Sequence, residues 1–297
     1  MTSMHEKLEL LDEMNYVDLL SYIEETNRCP GGKRTISEIV NYTHITKKSN
    51  ILEVGSNTGF TSIELAKILD DPTIVGIDVN ANAVKKSQEL LIGESAEVQR
   101  KVSFEIGDAS DLRFSNSFFD LIVTGGANGF IAENNRKMAV SEYRRVLKPN
   151  GFLAVTQLFY HKPVPKQILN DLEKVLGFPI RPLRRSYWLK LFLNSGFELY
   201  NFKEKKMRKR SLQTLSEYVD YIIESSEPLK GEDNLVKNAV RKRWYEIMNI
   251  FNNNHEYLSF MIVILRNTVS TEQREFFFEA DFMDPYTICK EEEEWSV

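Results

Sequence analysis

The stretch Ile51-Leu-Glu-Val-Gly-Ser-Asn-Thr-Gly59 is where this chain could do chemistry. An apolar run over residues 50–54 ends in Gly55, Gly59 follows, and residues 60–67 read as the opening of a helix. A strand, a glycine turn and a helix N-terminus let a backbone approach a ligand closely, because glycine has no Cβ and tolerates φ > 0. Asp78 ends the next apolar run, 73–77, and a carboxylate at the end of a second strand can accept hydrogen bonds from a ribose diol. A dinucleotide site needs G-x-G-x-x-G to admit a pyrophosphate. Asn57 stands between Gly55 and Gly59, so that spacing fails and a nucleoside without phosphate fits better. Asn is also the non-glycine residue that best tolerates a left-handed conformation, so the turn survives.

These groups need a frame to hold them. Strands are expected at 50–54, 73–77, 102–106, 119–124 and 152–156, with helices at 61–69, 81–92 and 133–147 between them. Alternation with short connections implies a parallel sheet covered by helices on both faces. The strands are near-continuous apolar runs, as two covered faces require. Ligands on such sheets bind outside the carboxyl ends of the strands, and Gly55, Asp78, Asp108 and Thr124 all fall at such ends. Asp108 could accept from an adenine amino group while the Ala109 N–H meets a ring nitrogen, since adenine offers donor and acceptor side by side. The alternative is a turn cap; the register with the glycine turn and Asp78 favours adenine. Asp111 reads as a surface turn residue.

The stretch resembles motif I of the class I S-adenosylmethionine (SAM)-dependent methyltransferases, typically E/D-x-G-x-G-x-G. Glu53, Gly55 and Gly59 match, and Asn57 replaces the middle glycine. Asp108 matches the family's third motif, and the segment 146–156 resembles the turn into its fifth strand. The resemblance covers residues 50–157 well and 186–265 loosely. It implies a doubly wound, mostly parallel Rossmann-like sheet of seven strands, with N-terminal helices and a helical lid insertion. It implies SAM as cofactor and S-adenosylhomocysteine (SAH) as product, held by Glu53, Gly55, Ser56, Asn57, Gly59, Asp78, Val79, Asp108, Ala109, Thr124 and Gly125. The D/N-P-P-Y/F motif of amino- and DNA-methylating relatives is absent from Thr124-Gly-Gly-Ala-Asn-Gly-Phe130; Asp284-Pro-Tyr286 lies out of position. Gly125, Gly126 and Gly129 suggest a backbone-lined wall beside the reacting groups.

SAM carries its own activated methyl group, so the protein must align nucleophile and leaving sulfur and exclude water. A hydroxyl acceptor also needs a base. His161, just past the fifth strand, is the best-placed histidine; Tyr160 and Tyr187 are weaker candidates. Tyr16, Phe130 and Tyr187 are expected against the substrate, and family likeness suggests that Tyr16 and the Gly31–Gly32 loop lie over the cofactor cleft. His5, His44 and His255 carry no site argument. There is no Cys–His pairing, metal-ligand spacing or hydrolase elbow, so no metal is expected.

The remaining sequence bounds the class. Thirty-eight Lys and Arg against 43 Asp and Glu give a net charge of −5, which argues against bulk electrostatic nucleic-acid binding. Two cysteines, Cys29 and Cys289, make a disulfide scaffold unexpected. With no apolar signal core and no membrane-length segment, a soluble cytoplasmic protein is expected. Helical patterns run over 8–25, over 35–42 with Thr35 and Glu38 as a capping box, and over 165–177 and 186–194. A strand is expected at 197–203, and the basic run 203–210 reads as a solvated strand end rather than a phosphate site. Two helical stripes fill 211–255.

The expected organisation is an N-terminal helical segment 1–45, a cofactor core 46–210, a lid 211–256, a last strand 257–266 and a tail 267–297 containing Phe276-Phe-Phe278 and without an assigned role. The expected function is methyl transfer to a small-molecule acceptor. Alternatives are a nucleic-acid or protein methyltransferase using the 203–210 run and a non-catalytic SAM-fold regulator; a nicotinamide enzyme stands against the turn spacing. The acceptor, the atom methylated and the state of any homo-oligomer are not legible in the sequence.

Overall fold

Runs of apolar residues become strands and amphipathic stretches become helices in the computed structural model, which describes residues 4–45 and 48–270 and the single positions 273, 276, 277, 284 and 287. In chain order the elements are α1 (Met4–Glu13), α2 (Tyr16–Tyr22), α3 (Lys33–Thr43), β1 (Asn50–Val54), α4 (Phe60–Ile68), β2 (Thr73–Asp78), α5 (Ala81–Ile92), α6 (Ala96–Lys101), β3 (Val102–Ile106), β4 (Phe119–Thr124), α7 (Glu133–Val146), β5 (Leu147–Tyr160), α8 (Lys166–Leu176), α9 (Arg185–Leu193), β6 (Glu198–Lys206), α10 (Leu212–Ser225), α11 (Asn234–Asn254) and β7 (Leu258–Arg266). No described helix is long and apolar enough to cross a membrane. Phe278, Cys289, Glu291 to Glu294, and Pro285 and Tyr286 of the Asp284 run lie outside the described residues.

The chain divides into two compact units. One comprises residues 28–159, 183–205 and 260–297, the other residues 1–27, 160–182 and 206–259.

The first unit is built on the sheet, whose seven strands run in the order β3-β2-β1-β4-β5-β7-β6. β1 lies parallel between β2 and β4, with Val54 opposite Ile77 on one side and Thr124 on the other. β5 continues the parallel set, Val155 opposite Thr124. β7 runs antiparallel to β5: the Asn267 N–H donates to the Gly151 carbonyl at one end, and the His161 N–H to the Tyr257 carbonyl at the other. The sheet is therefore mixed, doubly wound and mostly parallel, as the alternation predicts. Parallel crossovers are right-handed, so reversing direction at β1 and β4 puts α4 and α5 on one face and α7 on the other. Leu52, Ile122, Tyr143, Trp188 and Met261 belong to one continuous buried cluster, and each such side chain contributes about 1.5–3 kcal/mol by leaving water.

The second unit is helical. Leu19, Leu20, Ile23, Val219, Val240 and Trp244 share its core, so residues 211–256 fold together with residues from 1–27 and 160–182.

Several local expectations differ from the structure. The pattern over 8–25 is two helices, because Asn15 caps α2 by accepting from the Asp18 N–H at 3.0 Å. Thr35 is not an N-cap: α3 starts two residues earlier, the Thr35 hydroxyl donates to the Pro30 carbonyl at 2.7 Å, and Glu38 pairs with Lys205 at 2.5 Å. Local capping lost to a tertiary ion pair and a loop contact. β5 begins at Leu147, ahead of the expected 152, with Asn150 left-handed at φ 63° and its N–H bonded to the Asn267 carbonyl. In the basic run, Lys203 and Lys205 both meet Glu38, Lys203 also lies over the Tyr42 ring, and Arg210 lies over Tyr218.

Candidate functional site

The turn after β1 is shaped by left-handed backbone at three positions: Gly55 (φ 73°), Asn57 (φ 47°) and Gly59 (φ 87°). Asn57 adopts the conformation its side chain tolerates, and the Gly59 N–H closes the turn onto the Ser56 carbonyl at 2.8 Å. A Cβ on Gly55 would lie 2.3 Å from the Ala127 Cβ, so glycine is what lets the β4–α7 loop cover the turn. The side-chain oxygens Ser56 Oγ, Asn57 Oδ1 and Thr58 Oγ1 are buried there without a hydrogen-bond partner. Buried polar atoms are nearly always paired, so three orphans in consecutive residues mark a surface built for something else. They directly follow β1, the strand beside the point between β1 and β4 where the strand order reverses, and open α/β sheets bind ligands at such points.

Glu53 is buried at 6 % exposure, and its Oε2 accepts from the Ser62 N–H at 2.9 Å and the Ser62 hydroxyl at 2.5 Å. It fastens β1 to the first turn of α4. Burial pushes its carboxyl up to about 7, the bonds from Ser62 and Thr61 oppose that rise, and the negative charge of Asp78 adds to it. Cys29 responds to the same carboxylate: burial first and the Glu53 charge second push the thiol up to about 12. The Cys29–Gly32 turn is thus within electrostatic reach of the carboxyl end of β1.

Asp78 ends β2 with both oxygens on backbone, Oδ2 accepting from the Asn57 N–H and Oδ1 from the Asn80 N–H, each at 2.9 Å. It ties the glycine turn to the start of α5, and each oxygen keeps a second lone pair for a ligand. Val79 beyond it is 70 % exposed, and Ile106, at the end of β3 and opposite Asp78, is 58 % exposed. Two bare apolar side chains at strand ends suit the faces of a flat heterocycle. Asp108 does act as a turn cap, its Oδ1 accepting from the Ser110 N–H at 2.8 Å and the Ser110 hydroxyl at 2.7 Å. Its Oδ2 carries no hydrogen bond among the described residues, and Ala109 behind it is buried.

The wall after β4 is organised by a residue that sequence reasoning missed. Arg136 on α7 is 8 % exposed. Its guanidinium donates to the carbonyls of Asn128 (3.2 Å), Gly129 (3.2 Å) and Ile131 (3.0 Å) and to the Tyr187 hydroxyl (3.1 Å), and lies over the Trp188 ring. Beneath it Asn128 donates to Thr124 Oγ1 and accepts from the Tyr143 hydroxyl at 3.2 Å. Thr124 and Tyr187, both expected at the site, are thereby held in one network around the one-turn 3-10 helix at Gly126–Gly129. Phe130 projects outward, 59 % exposed. Gly125 and Gly126 have nothing within 4 Å of a built Cβ, so this wall is bare backbone. Gln157, 2 % exposed near the end of β5, was also missed. Signals existed for both: Arg136 falls in register with Ala139, Val140 and Tyr143 on a buried helical face, and Gln157 is a polar residue with apolar Leu158 and Phe159 directly after it.

Tyr16, Tyr160 and His161 belong to the helical unit. Tyr16 stacks parallel on Trp244 with centroids 6.1 Å apart and tilts against Phe251. Burial pushes the Tyr160 phenol up to about 12, opposed by a hydrogen bond with Asn254, so it stays protonated at neutral pH. His161 Nδ1 is 3.0 Å from the Ser259 hydroxyl.

Residues 51–151 match the family described as "Methyltransferase domain". A Haemophilus influenzae protein described as uncharacterized is 30 % identical over 186 residues, covering 63 % of this chain and 72 % of that one. The demethylmenaquinone methyltransferase of Symbiobacterium thermophilum is 29 % identical over 38 % of this chain, which spans less than half, 44 %, of that relative. The crystal structure of MccD protein superposes with a TM-score of 0.68 at 24 % identity, over 81 % of this chain and 99 % of that one, and shares the fold.

Proposed function

The chain belongs to the class I SAM-dependent methyltransferase family, and from that premise we propose that it transfers the methyl group of SAM to a small-molecule acceptor. The observation that carries the reading is the turn after β1, with its left-handed Gly55, Asn57 and Gly59 and the unpartnered oxygens of Ser56, Asn57 and Thr58. The residues fit the cofactor. Backbone and orphaned oxygens of 55–59 would meet its amino-acid end, Asp78 its ribose, Val79 and Ile106 the faces of its adenine, and Asp108 with the Ala109 N–H the edge. When bound, SAM supplies a methyl group already activated on a sulfonium, so the protein has to position and desolvate. Ala127 closes over the turn, Arg136 fixes the glycine wall, and Glu53 holds β1 against α4. The small-molecule part of the reading is supported by the bare wall, which leaves room beside the turn, and by the likeness to a demethylmenaquinone methyltransferase. The engagement of Lys203, Lys205 and Arg210 within the protein favours it over a polymer substrate.

Calorimetric titration with SAH, with NAD as control, tests the cofactor. Binding of SAH alone is expected. Gly55→Asp should abolish it by filling the space held by Ala127, and Asp78→Ala should weaken it roughly tenfold while the fold persists. Unchanged affinity in both variants would sink the assignment. A screen of hydroxyl and amine compounds for SAM-dependent methylation tests the acceptor class.

A further inference from the structure

Phe104 of β3 connects the edge of the sheet to the turn after β1 by way of two glycines. In register across the sheet, Glu53 of β1 faces Gly76 of β2, and Gly76 faces Phe104 of β3. Glu53 reaches the Ser62 N–H and hydroxyl near the start of α4. Gly76 has no side chain, and the Phe104 ring takes the space. A Cβ on Gly76 would lie 2.6 and 2.7 Å from the ring's Cδ1 and Cε1, and 2.9 Å from the Ser56 Cβ. The tip of the same ring stops at Gly59, where a Cβ would lie 2.4 Å from Cζ and 3.0 and 3.1 Å from Cε1 and Cε2. Phe104 thus lies across Gly76 with its tip against the residue that ends the turn and starts α4. It is 5 % exposed, and Gln88 of α5 donates to its carbonyl at 2.9 Å, so both ring and strand are held. The first half of the turn hangs from β2 by hydrogen bonds: the Gly55 and Ser56 N–H groups donate to the Ile77 carbonyl, and the Asn57 N–H to Asp78. At Gly59 the support is the ring.

We propose that Phe104 is a positioning residue for the cofactor: its ring sets where the 55–59 turn stands, and with it the fit of that turn to the amino-acid end of SAM. The inference rests on the methyltransferase reading and assigns a residue to that site. Phe104 acts through Gly59 and Ser56. A binding constellation has to be held within about 0.5 Å by side chains that packing locks in place, and a close-packed interior passes on a change of one methylene. A shorter side chain at 104 leaves space beneath Gly59 into which the turn settles. A methyl group on Gly76 does the reverse and pushes both the ring and Ser56 away from β2. The adenosine half of the cofactor would be met by Asp78, Val79, Ile106 and Asp108, whose places follow from the ends of β2 and β3. Moving the turn therefore costs the cofactor its amino-acid contacts and spares its adenosine contacts.

The test uses the full chain and compares SAH with 5′-methylthioadenosine, which keeps the adenosine and lacks the amino-acid end. Calorimetric dissociation constants are measured for the wild type, Phe104→Leu and Gly76→Ala, at a temperature where circular dichroism shows each protein folded. Phe104→Leu should bind SAH roughly tenfold more weakly, the scale of one lost hydrogen bond, and 5′-methylthioadenosine within about twofold of the wild type. Gly76→Ala, which displaces the ring from β2 and leaves Phe104 in place, should show the same split, and it decides the matter should the leucine variant not fold. A side chain that serves stability alone leaves the ratio of the two affinities unchanged. The inference is overturned if the variants bind SAH as tightly as the wild type, or if the two ligands weaken together by the same factor. Failure of the wild type to bind SAH at all is a different result and overturns the methyltransferase reading with it.

Discussion

Glu53 shows how burial turns one side chain into a pH-dependent element of stability. Its carboxyl is held up to about 7 in the folded protein against an ordinary 4.5, chiefly by burial. The folded state therefore keeps a proton that the unfolded chain releases. Stability from this group is fully present below about 4.5 and is lost as the pH rises through about 7. Glu53→Gln removes the titration. Relative to that variant, the wild type should lose unfolding free energy across the window by an amount on the order of 3 kcal/mol. Urea unfolding of both proteins over a pH series reads the difference; parallel curves would place the Glu53 carboxyl at its ordinary value. The sequence marked Glu53 through the motif it belongs to, but not its attachment to Ser62, because side-chain direction depends on where α4 starts.

At the scale of the element, the loop between β4 and α7 is the clearest case of structure fixed from outside the segment. Its glycines give it no preferred path, and Arg136, seven residues beyond Gly129, imposes one by hydrogen bonds to three carbonyls. Arg136→Met should destabilise the protein by about 3 kcal/mol, since it leaves buried carbonyls unpaired, and should also weaken SAH binding through the displaced wall. Arg136→Lys should recover little, because an ammonium cannot reproduce the planar fork. Denaturant unfolding and SAH titration check the two effects. A Lys variant equal to the wild type in both would show that charge alone suffices. The strands around this loop were legible from their apolar runs, and α4, α5 and α7 from their alternation with those strands. The break between α1 and α2 was not, because the apolar spacing continues through it and only Asn15 marks the stop. Thr35 misled for the opposite reason: a good local capping pattern was overridden by the Pro30 carbonyl and the Lys205 ion pair.

At the scale of the whole molecule, one compact unit is assembled from three separate chain segments. Trp244 and Val240 of α11 share a core with Leu19 and Leu20 of α2 and with Val219 of α10. Removing residues 211–256 should therefore cost more helix than the deleted residues contain, as α1, α2 and α8 lose the side chains they pack on. Far-ultraviolet circular dichroism of the deletion variant, compared with the helix expected to remain, gives the readout. Retention of all the remaining helix would show that 211–256 is an independent insertion.

The sequence by itself determined the mostly parallel, doubly wound sheet and the glycine turn after β1. Both follow from local physics: apolar runs that must be covered on two faces, glycines where a backbone turns left-handed, and a carboxylate at a strand end. The tertiary structure decided what depends on residues far apart in the chain: that Arg136 holds the glycine wall, that Glu53 is buried among hydroxyls, and that distant helices share one core. No local preference encodes those pairings, because each is set by the burial that closes over it.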